Sequence, residues 1–214
     1  PIRGLVSRLY AAGGGKQLMR LDLTHIQRWI EPGTRVLDLG CGNGEFLELL
    51  REQRQVRGTG LEIDGDMITA AVSRGLNIVE QNMDQGLANF PDQSFDTVVM
   101  AHALQAVHFP DKVLDEMLRI GRQCIVTFPN FGHWRCRLHL GTRGRMPVSR
   151  FMPHMWYDTP NIHFCTVKDF EDLCALKGIS ILARDVVGNT ERTPVLAGAW
   201  PNLFATTAIY HITR

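Results

Sequence analysis

Apolar positions along this chain alternate between two spacings. "RVLDLG" (35–40) is a short, nearly continuous apolar run, as expected of a buried strand. "EFLELLREQ" (45–53) carries its apolar residues at helical spacing. The alternation continues with a strand at "RGTGLEID" and a helix at "DGDMITAAVSRG" closed by Gly75. Strands follow at "LNIVEQ" and "SFDTVVMA". "PDKVLDEMLRIG" opens on proline and predicts a helix, and "RQCIVTFP" a fifth strand. Upstream, "LMRLDLTHIQRWI" places Leu18, Leu21, Ile26, Trp29 and Ile30 at roughly helical spacing. Residues 130–165 read as irregular. "TVKDFEDLCALKG" resumes the helical period, with Thr166 and Asp169 placed as a capping box and Gly178 as the stop. Two β-rich runs close the chain, "ISILARDVV" and "NLFATTAIYHITR". No helix is expected between them, so they should pair antiparallel. Strands alternating with helices predict one α/β domain over 1–214 with a mostly parallel sheet.

Composition changes this picture little. The 214 residues suffice for a substantial core, and 44% hydrophobic with 21% charged residues is ordinary for a globular chain. A formal charge of +1 supplies no global field for nucleic acid or membrane, so any basic surface must be local. Five cysteines without a Cys-x-x-Cys pair suggest reduced thiols and a cytoplasmic protein. No apolar run approaches a bilayer span, and "PIRGLVSRLYAAGGGKQL" lacks the apolar core of a secretory signal. Opening on Pro rather than Met, the chain is expected to lack its original start. "GGGK" has no strand before it and no Ser or Thr after it, so it reads as flexible lead-in rather than a phosphate loop.

The chemistry gathers at Asp38-Leu39-Gly40-Cys41-Gly42-Asn43-Gly44, where the first strand passes into a helix. Open α/β sheets bind ligands at such a strand end, where backbone N–H groups are free. The spacing is Gly-x-Gly-x-Gly rather than the Gly-x-Gly-x-x-Gly of dinucleotide binders. Asp38 would repel a pyrophosphate and suit an ammonium group, which favours S-adenosylmethionine over NAD. Glu62 ends the second strand, 22 residues beyond Gly40, where a carboxylate can accept from ribose hydroxyls, with Ile63 beside it. After the third strand, Asn82 and Asp84 offer acceptors for an adenine amino group and Met83 a surface for its ring. Cys41 fits the turn by its small size.

"VLDLGCGNGEF", "GLEID" and "FPDQSFDTVVM" resemble strand motifs of class I S-adenosylmethionine-dependent methyltransferases. The resemblance implies a Rossmann-like sheet of seven strands, mostly parallel with an antiparallel terminal strand, and helices on both faces. "LQAV", "FPNFGHWRCRL", "GRMPV", "WYDTPNIH" and "DFEDLC" narrow it, and the chain is similar to the MetW family of methionine biosynthesis proteins. That similarity implies a protein binding S-adenosylmethionine or S-adenosylhomocysteine and working with homoserine O-acetyltransferase. Methyl transfer need not be its role. Asn82 departs from the pattern, which has an acidic residue there.

No residue pattern fixes a catalytic group. His102, Gln105 and His108 follow the fourth strand, where methyltransferases often hold a base, but none is paired with a carboxylate in sequence. Residues 130–165 carry Arg135, Arg137, Arg143, Arg145 and Arg150 against one acid, Asp158, with aromatics interleaved. That composition suits a binding surface, and Trp134, Arg135, Arg137, Arg145, Trp156 and Tyr157 are its candidate contacts. The bland alternative is aromatics covering the sheet edge and merely solvated arginines. Two other functions stay open, a small-molecule methyltransferase and a nucleic-acid-binding module, the latter opposed by the near-zero net charge. His133 with Cys136 and His163 with Cys165 are spaced too loosely for structural zinc, so no metal is expected.

Overall fold

The computed structural model describes residues 23–149, 152–187 and 195–214. Seven strands form one sheet: β1 (Arg35–Leu39), β2 (Arg57–Glu62), β3 (Asn77–Glu80), β4 (Phe95–Ala101), β5 (Gly121–Pro129), β6 (Ser180–Val187) and β7 (Thr207–Thr213). Their order is β3-β2-β1-β4-β5-β7-β6. β1 to β5 run parallel, and β7 lies antiparallel between β5 and β6. The class I methyltransferase architecture anticipated from the motifs is the one observed.

Side-chain alternation divides the core between the two faces of this sheet. Leu37, Leu39, Val98, Met100, Val126, Phe128 and Tyr210 pack on one side, against α3 (Pro110–Ile120) and α5 (Val167–Lys177). Val36, Val99, Ile125 and Ile209 face the other way. There they meet α1 (Glu45–Arg54), Ala71 of α2 (Gly65–Ser73) and a helical turn at 23–27. Strands buried on both faces read as continuous apolar runs, which is why their sequences lack strict alternation.

Capping sets the helix ends. Asp64 accepts from the N–H groups of Asp66 and Met67 and so starts α2. Thr166 and Asp169 form the full capping box of α5, and Gly178 ends it in the left-handed region.

Two segments differ from the sequence expectation. Within the stretch read as irregular, residues 134–143 form a helix, α4 (Trp134–Arg143), started by the ring of His133 accepting from the N–H of Arg135. Its apolar residues Trp134, Cys136, Leu138 and Leu140 fall at every second position rather than at helical spacing, and Cys136 alone of the helix is buried. Two short helices, α6 (Val195–Ala199) and α7 (Pro201–Phe204), precede β7, in a connection expected to be helix-free. β6 and β7 still pair antiparallel. Leu18 and Leu21, the "GGGK" lead-in and Arg150 lie outside the described residues.

Candidate functional site

The carboxyl ends of β1, β2, β3 and β4 converge on the glycine turn. β1 pairs with β2 on one side and β4 on the other, so it lies at the point where the winding reverses, where open α/β sheets form their crevice. The N–H groups of Gly40 and Cys41 both donate to the carbonyl of Leu61, at 2.8 and 3.1 Å, and tie the turn to β2. A Cβ on Gly40 would meet Cβ of Ala103 at 3.3 Å and Cε of Met83 at 3.7 Å, so the loops after β4 and β3 close against it.

The glycines serve different purposes. All three have left-handed φ, +76° at Gly40, +55° at Gly42 and +78° at Gly44. At Gly44 a Cβ would strike Cδ1 of Leu76 at 2.3 Å, so packing of α1 on its neighbours excludes a side chain. A Cβ on Gly42 would meet nothing within 4 Å, so that face of the turn is open to an approaching molecule. Gly60, beneath the turn, is needed for Cys41, whose Sγ would lie 2.4 Å from a Cβ there. Cys41 is thus a packing residue, and burial holds its thiol well above the ordinary range.

Asp38 and Glu62 stand on the same sheet face, because Asp38 is in register with Gly60 and Glu62 lies two residues on. Asp38 is 3% exposed. Burial, then repulsion from Glu62, pushes its carboxyl up to about 7. Backbone N–H groups hold Glu62 on both oxygens. Oε2 accepts from Gly42 at 2.9 Å, and Oε1 accepts from Ile63 at 2.7 Å and Asp64 at 3.0 Å. An ionised carboxylate has about four acceptor sites, so Glu62 has room for one more donor while the Gly42 bond stands. Two carboxylates so placed leave a local excess of negative charge that a cationic ligand would relieve.

The third-strand loop is occupied by its own fold. Asn82 accepts from the N–H of Asp84 at 3.0 Å. Asp84 accepts from His108 twice, from the backbone N–H at 2.8 Å and from Nδ1 at 2.7 Å. Met83 is partly buried against the core beside Gly40, and Ile63 is an exposed apolar side chain beside Glu62. The pairing of Asp84 with His108 was not foreseen from the residue pattern. A carboxylate and a histidine 24 residues apart carry no local signal.

His102 sits just beyond β4 with φ +56°, a left-handed backbone for a non-glycine residue, held by its N–H donating to the carbonyl and hydroxyl of Thr127. Gln105 is fully enclosed, with Nε2 donating to the Pro129 carbonyl and to Sγ of Cys165.

The end of the arginine–aromatic segment is tied to the loop after β4, where the N–H groups of Ile162 and His163 donate to the Gln105 carbonyl. Trp156 and Tyr157 are 73% and 70% exposed and meet edge to face. The guanidinium of Arg135 lies over the exposed ring of Trp134, 5.3 Å from its centroid. Arg145 is exposed. Arg137, in contrast, is anchored, with Nε donating to the Gly132 carbonyl at 2.5 Å. Among the described residues no group of His, Cys, Asp and Glu side chains gathers to hold a metal, and no helix is long and apolar enough to cross a membrane.

Known proteins agree with this architecture. A SAM-dependent methyltransferase of Thermotoga maritima superposes with a TM-score of 0.66 at 17% identity, covering 100% of this chain and 99% of that one. SpnF, a [4+2]-cyclase, superposes with a TM-score of 0.63 at 17% identity over 91% of this chain and 80% of its own. The shared fold therefore does not specify methyl transfer. The bifunctional methionine biosynthesis protein MetXA/MetW of Rhodopirellula baltica is 33% identical over 206 residues, 92% of this chain. The chain spans 33% of that relative's length. The family model described as "Methionine biosynthesis protein MetW" matches residues 20–212. The chain belongs to the MetW family of methionine biosynthesis proteins.

Proposed function

We propose that this chain acts in methionine biosynthesis as the partner of homoserine O-acetyltransferase, and that its glycine turn holds S-adenosylmethionine or S-adenosylhomocysteine. The observation that carries the partnership is the relative whose own name joins MetXA and MetW in one bifunctional protein, matched over 92% of this chain. Surface chemistry supports it. Trp134, Arg135, Arg145, Trp156 and Tyr157 present aromatic area and positive charge, which suits a partner face carrying carboxylates.

The pocket fits a cationic nucleoside. Gly42 leaves room for close approach, Asp38 and Glu62 supply negative charge for an ammonium, and Glu62 retains an acceptor site for a ribose hydroxyl. Ile63 and Met83 offer apolar surface to the adenine ring. When bound, S-adenosylmethionine would bring a transferable methyl on its sulfonium.

The test is homoserine acetylation by the purified acetyltransferase of the same organism, followed as acetyl-CoA consumption, with and without this protein. A large stimulation is expected, at least tenfold weaker in half-saturation when Trp134 and Arg135 are both changed to Ala. No stimulation and no complex by gel filtration would sink the partnership.

Gly42→Val separates pocket from surface. At φ +55° a valine is strained, by roughly 1–2 kcal/mol. Its side chain fills the open approach. Binding of S-adenosylhomocysteine by equilibrium dialysis is expected to fall at least thirtyfold, with complex formation retained. Unchanged binding would remove the turn from the site.

One observation favours a second reading. The left-handed backbone at His102, where β4 ends, is the kind of strain that clusters at active sites. As a small-molecule methyltransferase the protein would move labelled methyl onto an acceptor in a cell extract. Absence of transfer with a saturated pocket would dismiss it.

A further inference from the structure

A single chain of contacts runs from the candidate nucleoside pocket to the arginine–aromatic segment. It begins at the third-strand loop, where Met83 reaches toward Gly40 and Asp84 follows it. Both Asp84 oxygens accept from His108. The carbonyl of His108 accepts from Nε2 of His163 at 3.2 Å. Three residues upstream, the carbonyl of Gln105 accepts from the N–H groups of both Ile162 at 2.8 Å and His163 at 3.1 Å. The end of the segment is therefore fastened to one short loop, 105–108, and Asp84 grips that loop from the pocket side.

We propose that His108 is the positioning residue through which occupation of the pocket orders the segment that meets the partner. This rests on the proposed binding of an adenine nucleoside at the turn. Asp84 is half-buried, and its carboxylate has about four acceptor sites, of which His108 uses one on each oxygen. An adenine amino group can add to a remaining site without displacing His108. Fixing Asp84 from the pocket side then removes freedom from His108 and from the carbonyls that hold Ile162 and His163. The His108–Asp84 pair is exposed and adds little to global stability, because water and salt screen it. A weak link of this kind is suited to being set by a ligand, since local opening at such places costs far less than unfolding. Coupling is reciprocal, so a partner that orders the segment tightens nucleoside binding by the same factor.

Hydrogen–deuterium exchange of the intact protein, with and without saturating S-adenosylhomocysteine, tests this, with equilibrium dialysis on the same samples. In the wild type the ligand is expected to slow exchange at Ile162 and His163 by at least threefold. In His108→Ala, which removes the ring bond to Asp84 and keeps the backbone one, dialysis should show affinity within tenfold of wild type while the slowing at 162–163 falls at least twofold. His163→Ala, which removes only the contact to the His108 carbonyl, should keep binding and reduce the slowing at Ile162. Thermal melts confirm that both variants are folded. Ligand bound by dialysis without slowing in the wild type overturns the coupling alone, as does equal slowing in His108→Ala. No ligand binding at all overturns the coupling together with the pocket reading beneath it.

Discussion

Asp38→Asn is expected to stabilise the ligand-free protein at pH 8 while weakening its hold on S-adenosylmethionine by about a hundredfold. The folded-state carboxyl titrates near pH 7, against 3.8 for an unperturbed group, because it is buried beside Glu62. A carboxyl raised in this way contributes stability below pH 4. That contribution is lost as pH rises through 7, and the loss is on the order of 4 kcal/mol once the group is fully ionised. Asparagine keeps the shape and cannot ionise, and burying its amide offsets part of the advantage, so a net gain of about 2 kcal/mol at pH 8, or roughly 4–8 °C in melting temperature, is expected. Below about pH 4, where Asp38 is protonated in the folded and the unfolded chain alike, the two proteins should melt together. The ligand reverses the balance, because its ammonium favours the charged form. Below pH 7, wild-type affinity should fall about tenfold per pH unit, and calorimetry in buffers of different ionisation enthalpy should detect up to one proton released on binding. A variant that binds as tightly as wild type at pH 8 would show that Asp38 does not face the ligand charge.

Asn130→Ala is expected to cost about 4 kcal/mol, a fall in melting temperature of roughly 10 °C. Asn130 is wholly buried at the end of β5. Its Nδ2 donates to the carbonyls of Pro201, Asn202 and Ala205, and its Oδ1 accepts from the N–H groups of Gly132 and Val167. One amide thus joins the approach to α4, the start of α5 and the turn of α7. Removing it leaves buried backbone groups from three segments without their partner, which costs more than the loss of any one bond. Asn130→Asp should be no better, since a second acceptor would face the three carbonyls. Exchange at Gly132 and Val167 should rise in both variants. A loss under 1 kcal/mol would mean that these segments are held by other contacts.

Much of the fold was legible because its signals are local. The apolar runs of β1 and β4, the capping box of Thr166 and Asp169 and the left-handed glycine ending α5 each need only a few neighbouring residues. The glycine turn was legible for the same reason, whereas the placing of Asp38 and Glu62 on one sheet face needed the register of β1 against β2. α4 was not, because its apolar residues at 134, 136, 138 and 140 alternate with polar ones instead of recurring at helical spacing.

Residue type and spacing therefore determined the strands, the main helices, the family and the glycine turn after β1. Only the tertiary structure decided that Gly44 is glycine for packing and Gly42 for open space, and that Asp84 turns toward His108. It alone made Asn130 a hub across contacts 71 to 75 residues apart in the chain. Sequence patterns report the fit of a residue to its own helix or strand. A hydrogen bond between distant loops depends on how those elements are stacked, and leaves no period in the sequence that makes it.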